Sequence, residues 1–316
     1  MKICVFGAGA VGGHVAARLA AKGHDVSVVA RGPHLQKMKT EGIKLLHGNE
    51  TIHGKVRTEN PGKQDFVIVT LKANLLDVFA DAAPPLLGPD TAVVFAQNGI
   101  PWWFFVGEGD RRLETVDPGG VIAASIPARH VIGCVVYPAT SLEAPGVVRH
   151  VEGSRFSLAE LDGARSERVT AIAGALASAG LRAPVQSRMR EEIWLKLIGN
   201  ATLNPVSALT RAGLAAMVGD PGTRQLVRAM MLEVEAVGKA LGIEPGVGVD
   251  RRLEGAGRVG DHRTSMLQDV ESGRPLEVEA LVGSVVELAG QIGVAVPSLE
   301  VVYRLTRQLD RSLRGS

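Results

Sequence analysis

The chain has 316 residues, 46% of them hydrophobic, 22% charged and only 4% aromatic, with a formal net charge of +2. That length exceeds one comfortable hydrophobic core, so two domains are expected, built mainly from Val, Leu, Ile and Ala. The near-neutral charge, with Arg and Asp/Glu interleaved and no run of one sign, argues against a nucleic-acid partner. No segment is long and apolar enough to span a bilayer. Cys4 and Cys134 form neither a disulfide framework nor a zinc pattern and read as reduced core thiols. The first apolar run passes straight into a glycine loop, so no secretory leader is expected, and a cytoplasmic enzyme fits the whole.

In chain order, residues 3–6 are a continuous apolar run, which suits a strand buried on both faces of a parallel sheet. It leads directly into Gly7-Ala8-Gly9-Ala10-Val11-Gly12, and an alanine-rich helical pattern over 11–21 stops at Gly23. In such a loop Gly7 permits the tight turn, Gly9 lets the backbone approach a pyrophosphate, and Gly12 allows close helix–strand packing. The helix start then offers N–H groups and partial positive charge to an anion. The second strand, 26–29, is followed by Arg31 rather than by the acid that binds a ribose 2′-hydroxyl, which favours NADP(H) over NAD. An exposed loop arginine is the ordinary alternative.

Residues 43–46 and 51–56 read as a hairpin around Gly48-Asn49. Strands follow at 66–70 and 92–96, with Lys72 and Asn98 just beyond their carboxyl ends, where open α/β sheets bind ligands. Lys72 is placed to face the cofactor, and Asn98-Gly99 to line its nicotinamide ribose; a surface lysine and an Asn-Gly turn are the plainer readings. Further strands at 131–137, 146–151 and 156–159 and a covering helix at 165–179 complete this half. After Ser187 the periodicity is helical: 188–203, 221–241, 249–258, 265–271, 276–292 and 299–309. The expected fold is α/β: an N-terminal Rossmann-type doubly wound sheet, residues 1–187, binding a dinucleotide, then an all-helical substrate and catalytic domain, 188–316. The cleft between them is the expected site.

Within the first of those helices, Lys196, Asn200 and Asn204 recur every four residues as one polar stripe, bordered by Ile193, Leu197 and Ala201. Pro205 predicts that the helix ends near Asn204. A lysine beside apolar surface can donate a proton near neutrality. On pattern alone, however, a solvated stripe is the simpler account.

The string Trp194-x-Lys196-x3-Asn200-x3-Asn204-Pro205 resembles the signature of ketopantoate reductases (2-dehydropantoate 2-reductases). The resemblance extends to Gly7–Gly12, Val69-Thr70-Leu71-Lys72-Ala73, Gln97-Asn98-Gly99, Ser265-Met266-Leu267-Gln268-Asp269 and Glu277, in order across nearly the whole chain. It implies NADPH-dependent reduction of a small 2-oxo acid, with ketopantoate first, as a step of pantothenate biosynthesis. It implies Lys196 as general acid; Asn98, Asn200, Asn204 and Ser265 as substrate contacts; Ala139 near the cofactor; and Glu277 orienting the lysine or the cofactor ribose. Ser265 with Gln268 also reads as a capping box, and Glu277 as a first-turn acid. Leu214 and His262 stand where the family often has asparagine, and the aromatic segment Trp102-Trp103-Phe104-Phe105 is either a packed cluster or a wall for a bulkier oxo acid. A related 2-hydroxy acid dehydrogenase with a branched or aromatic substrate, and a non-catalytic NADP(H) sensor, are the alternatives. Apolar faces at 226–237 and 281–288 could pair two copies as readily as pack internally, which leans toward a homodimer.

Overall fold

The computed structural model describes residues 1–59, 61–244 and 246–315. They group into two compact units: Met1–Gln97, Phe105–Asp110 and Gly120–Met189 in the first; Asn98–Phe104, Arg111–Gly119 and everything from Arg190 in the second. A single cut at 187/188 leaves 98–104 and 111–119 with the sheet, whereas in space both segments group with the helices.

The first unit contains β1 (Lys2–Phe6), α1 (Ala10–Ala21), β2 (Asp25–Val29), α2 (Gly32–Glu41), β3 (Ile43–His47), β4 (Glu50–Gly54), β5 (Phe66–Val69), α3 (Leu76–Ala82), β6 (Ala92–Ala96), α4 (Val121–Ser125), β7 (Val131–Val136), β8 (Ala139–Ala144), β9 (Val147–Glu152), β10 (Phe156–Ala159) and α5 (Glu167–Ser178). The main sheet has the order β10-β7-β6-β5-β1-β2. All its pairs are parallel except β10 with β7. Every residue of β5, β6 and β7 is buried, which is why these strands appear as unbroken apolar runs rather than alternating ones. β1 lies between β2 and β5, so the strand order reverses where its carboxyl end enters the glycine loop.

The hairpin forms around Gly48 and Asn49 and is inserted before β5, as expected, but it is not part of the main sheet. It belongs to a second sheet of order β4-β3-β9-β8, in which β9 runs parallel to β3. α1 packs on both sheets, and this explains its composition. A helix covered on both sides must be small and apolar nearly all round, and Gly12, Gly13, His14, Val15, Ala16, Ala17 and Leu19 are all buried. A Cβ added at Gly13 would lie 2.7 Å from Val148, and one at Gly54 would lie 2.6 Å from the Ala17 Cα.

The second unit contains α6 (Met189–Thr210), α7 (Leu214–Gly219), α8 (Pro221–Ala240), α9 (Val249–Arg258), α10 (Ser265–Glu271), a π turn (Glu279–Gly283), α11 (Ser284–Ile292) and α12 (Pro297–Arg314). α6 does not stop at Asn204; it carries Pro205 inside and continues to Thr210. Proline removes one donor and strains one turn, but Val206 and Ala208 beyond it are 2% and 0% exposed, and that burial holds the helix on. Trp194 is fully buried and donates from Nε1 to the Val234 carbonyl of α8 at 3.2 Å. Most of the 226–237 and 281–288 faces packs within this unit: Val227, Met230, Met231, Val234 and Val237 are inaccessible, as are Val282, Val285 and Leu288.

Among the described residues, no helix is long and apolar enough to cross a membrane and no cluster of His, Cys, Asp and Glu could hold a metal ion. Cys4 and Cys134 form no disulfide and are buried, and burial pushes the Cys4 thiol up to about 11.

Candidate active site

Chemistry-bearing residues gather at one place in each unit. In the first, β1 ends at Phe6 and Gly7 turns the chain with φ +99°. The Gly7 and Ala8 N–H groups both donate to the Val29 carbonyl at 3.0 Å, and Thr70 Oγ1 donates to the Gly7 carbonyl at 2.7 Å. A Cβ at Gly12 would stand 2.4 Å from Thr70 Oγ1 and 2.5 Å from the Gly7 oxygen, so only glycine lets α1 approach so closely. At Gly9 the nearest atom is 3.9 Å away, and the space beside the backbone is open. The first amides of α1, from Ala10 through Gly12, lie beyond the reach of intrahelical carbonyls. These features fit a dinucleotide pyrophosphate.

A cavity of ≈ 280 Å³ adjoins this loop, with Gly7, Ala8, Gly9, Arg31, His34 and Lys72 in its wall. Arg31 is exposed and is the N-cap residue of α2, whose amino end adds positive partial charge there. Lys72 is half-buried. Among the described residues lining this cavity there is no carboxylate. Ala139 opens β8 and is not part of the wall.

In the second unit, Lys196 Nζ donates to Asn98 Oδ1 at 2.7 Å. Lys196 and Asn200 are half-buried on α6, beside Ile193, Leu197, Ile198 and Ala201, all buried; Asn204, four residues on, is 7% exposed. What fixes Asn98 is the π turn. Ser284 N–H reaches the Glu279 carbonyl, five residues back, instead of the Ala280 carbonyl. The Ala280 oxygen is thereby turned out and accepts from Ile100 N–H at 2.9 Å and from Ser284 Oγ at 2.8 Å. Gly99 makes this approach possible: at φ +87° its added Cβ would lie 2.2 Å from that oxygen.

Glu277 is half-buried just before the π turn, and its carbonyl accepts from Leu281 N–H at 3.2 Å. It therefore precedes the helix rather than occupying its first turn. Ser265 is exposed at the start of α10 but is not its cap; Thr264 is, accepting from Leu267 N–H at 3.2 Å. Gln268 donates to the Arg263 carbonyl at 3.0 Å, so the capping-box pairing is absent. Trp103 and Phe104 are 4% and 3% exposed, and Phe104 lies tilted 6.1 Å from Trp194, so this stretch is mostly packed interior, with Trp102 half-buried. Leu214 and His262 are neighbours: Leu214 N–H donates to the His262 carbonyl at 3.0 Å.

Three contributors escape a reading of the sequence. Thr70 has no signal of its own within residues 69–73, and His34 and the Ala280 carbonyl carry none either, because a lone histidine after a strand and an alanine inside a helical run look ordinary.

Two family models match the chain. Residues 3–163 match that of ketopantoate reductase PanE/ApbA, and residues 188–310 match its C-terminal counterpart. A 2-dehydropantoate 2-reductase of Mesorhizobium japonicum is 51% identical over 98% of both chains, and one of Nostoc is 27% identical over 98% of this chain and 95% of its own. Among solved structures, a protein of Ralstonia solanacearum aligns at 41% identity with a TM-score of 0.94, covering 99% of this chain and 98% of that one. The 2-dehydropantoate 2-reductase of Methylococcus capsulatus aligns at 29% identity and a TM-score of 0.83, covering 100% and 99%.

Proposed function

Because this chain belongs to the ketopantoate reductase family of pyridine-nucleotide-dependent oxidoreductases, we propose that it reduces 2-dehydropantoate to pantoate with NADPH, as a step of pantothenate biosynthesis. The observation that carries the assignment is the Lys196–Asn98 hydrogen bond of 2.7 Å. Reducing a carbonyl requires a hydride at carbon and a proton at oxygen. When bound, NADPH supplies the hydride.

Lys196 supplies the proton. Its ammonium has three donors in no fixed direction, and Asn98 gives it one, so Nζ sits at a set place at the edge of a buried face. As the C=O pair moves onto oxygen, the developing alkoxide takes a proton from Nζ, and the lysine recovers one from solvent. Asn200, Asn204 and Ser265 offer hydrogen bonds to the carboxylate and hydroxyl of the substrate, and Glu277 orients the lysine or the nucleotide ribose. In the first unit Gly7, Ala8, Gly9, Ala10, Val11 and Gly12 form the pyrophosphate loop. Arg31 and Lys72, in the wall of a cavity whose described lining residues include no carboxylate, support NADPH over NADH.

Leu226, Leu232, Val301 and Leu305 are the large apolar residues of α8 and α12 left exposed, and a homodimer would use them; sedimentation would test that. Buried, reduced Cys4 and Cys134 support a cytoplasmic setting. The function itself is tested by following NADPH oxidation with a panel of 2-oxo acids. Ketopantoate should be the best substrate and NADH a poor substitute. A preference for a phenyl-bearing oxo acid would replace the substrate assignment, and tight NADPH binding with no turnover of any oxo acid would replace the enzyme with a sensor.

A further inference from the structure

His34 stands on the first turn of α2, three residues after Arg31, and joins two parts of the first unit that are far apart in sequence. Its Nε2 is 2.6 Å from the Ala8 carbonyl oxygen. Gly146, in the turn between β8 and β9, donates its N–H to Nδ1 at 2.8 Å. A neutral imidazole has one donor and one acceptor nitrogen. Since Nδ1 accepts, Nε2 carries the proton and donates to Ala8, so the tautomer is set by the partners. The Gly146 carbonyl in turn accepts from Lys44 N–H of β3 at 2.9 Å. One ring therefore fastens the second sheet to the glycine loop.

The consequence lies in the direction of one peptide. The Ala8 carbonyl shares its peptide with the Gly9 N–H, which donates to the Gly7 carbonyl at 2.6 Å, so His34 is the partner on the oxygen side of a peptide whose nitrogen side is held within the loop. Turned toward the amino end of α1, that oxygen would oppose an anion; turned toward α2, it leaves the loop presenting N–H groups. We propose that His34 is a positioning residue for the pyrophosphate, holding the Ala8 carbonyl aside so that the glycine loop stays in its anion-accepting form. This rests on the nucleotide reading of Gly7–Gly12.

Two properties set this role apart from that of a direct ligand. Both ring nitrogens are engaged within the protein, so a 2′-phosphate falls to Arg31, and His34 should affect NADPH and NADH equally. Protonation also undoes the link, because an Nδ1–H would face the Gly146 N–H, donor against donor. Burial holds the His34 pKa below the usual 6.5, while its bond to Ala8 pulls the other way. The charged groups around it are Arg31 and Lys72 on the cavity wall and Lys37, whose stem packs at Gly146 and whose ammonium pairs with Glu41. Acid should therefore weaken nucleotide binding through this ring.

The test is fluorescence titration of the full chain with NADPH and NADH, at about pH 8 and about pH 5.5 on either side of the imidazole range. His34→Ala should weaken both nucleotides by about tenfold at the higher pH, the effect of one lost hydrogen bond. His34→Gln, whose amide offers both a donor and an acceptor, should recover most of that loss and bind with less pH dependence than the wild type. It also serves if the alanine variant fails to fold. Arg31→Ala should weaken NADPH far more than NADH. Unchanged affinities in His34→Ala, or a loss confined to NADPH, would overturn the positioning role while leaving the nucleotide site intact. A wild-type chain that binds neither nucleotide would remove the nucleotide reading, and this role with it.

Discussion

Lys196 and Asn98 are 98 positions apart, yet their side chains meet at 2.7 Å. The spacing of Lys196, Asn200 and Asn204 on one stripe was legible in the sequence, because a helix repeats every 3.6 residues whatever it packs against. That Asn98 is the lysine's partner was not, since only the chain's return path decides which residues face α6. If Lys196 is the acid, Lys196→Ala should lower kcat by about 10²–10⁴-fold while changing NADPH affinity less than about twofold. Asn98→Ala should cost about tenfold in kcat, as Nζ loses one fixing hydrogen bond. Steady-state kinetics beside nucleotide titration decides both, and wild-type turnover in Lys196→Ala would remove the lysine from the mechanism.

Among the elements, the discrepancies share a cause: tertiary contacts override local preference. Pro205 marks a helix end by its own chemistry, but burial of Val206 and Ala208 carries α6 onward. Ser265 with Gln268 has the form of a capping box, but the chain enters α10 one residue earlier and Thr264 makes the bond. Thr264→Ala should therefore cost about 1 kcal/mol in urea unfolding. Ser265→Ala should leave stability unchanged and, if Ser265 contacts substrate, raise the KM for the oxo acid. The π turn had no signal at all, since its sequence continues the apolar pattern of α11. Its importance is measurable at Gly99: Gly99→Ala sets a Cβ 2.2 Å from the Ala280 oxygen at positive φ. It should reduce kcat and cost more than about 1 kcal/mol, the usual penalty of overpacking. Native kinetics in that variant would mean that the Asn98 turn is not held by Ala280.

At the scale of the whole chain, the way the first unit encloses α1 has a consequence in acid. His14 on α1 is inaccessible, and its Nε2 accepts from Arg18 Nε at 2.8 Å, which requires a neutral ring. Burial first, then Arg18, His150 and His47, lower its pKa from 6.5 to about 3. The unfolded chain thus binds more protons than the folded one between about 3 and 6.5, and stability rises with pH wherever that holds. Urea midpoints should fall from neutral pH toward pH 4, and less steeply in His14→Gln; identical slopes would exclude His14 as the cause. The sequence by itself determined the alternation of strands and helices, the glycine loop, the cation after β2 and the lysine stripe, because each depends on neighbours within a few residues. Only the tertiary structure decided that the hairpin joins a second sheet, that segment 98–104 groups with the helices, that Asn98 meets Lys196, and that His34 holds the glycine loop. Those pairings join residues tens of positions apart, and no local pattern encodes which distant backbone will lie opposite.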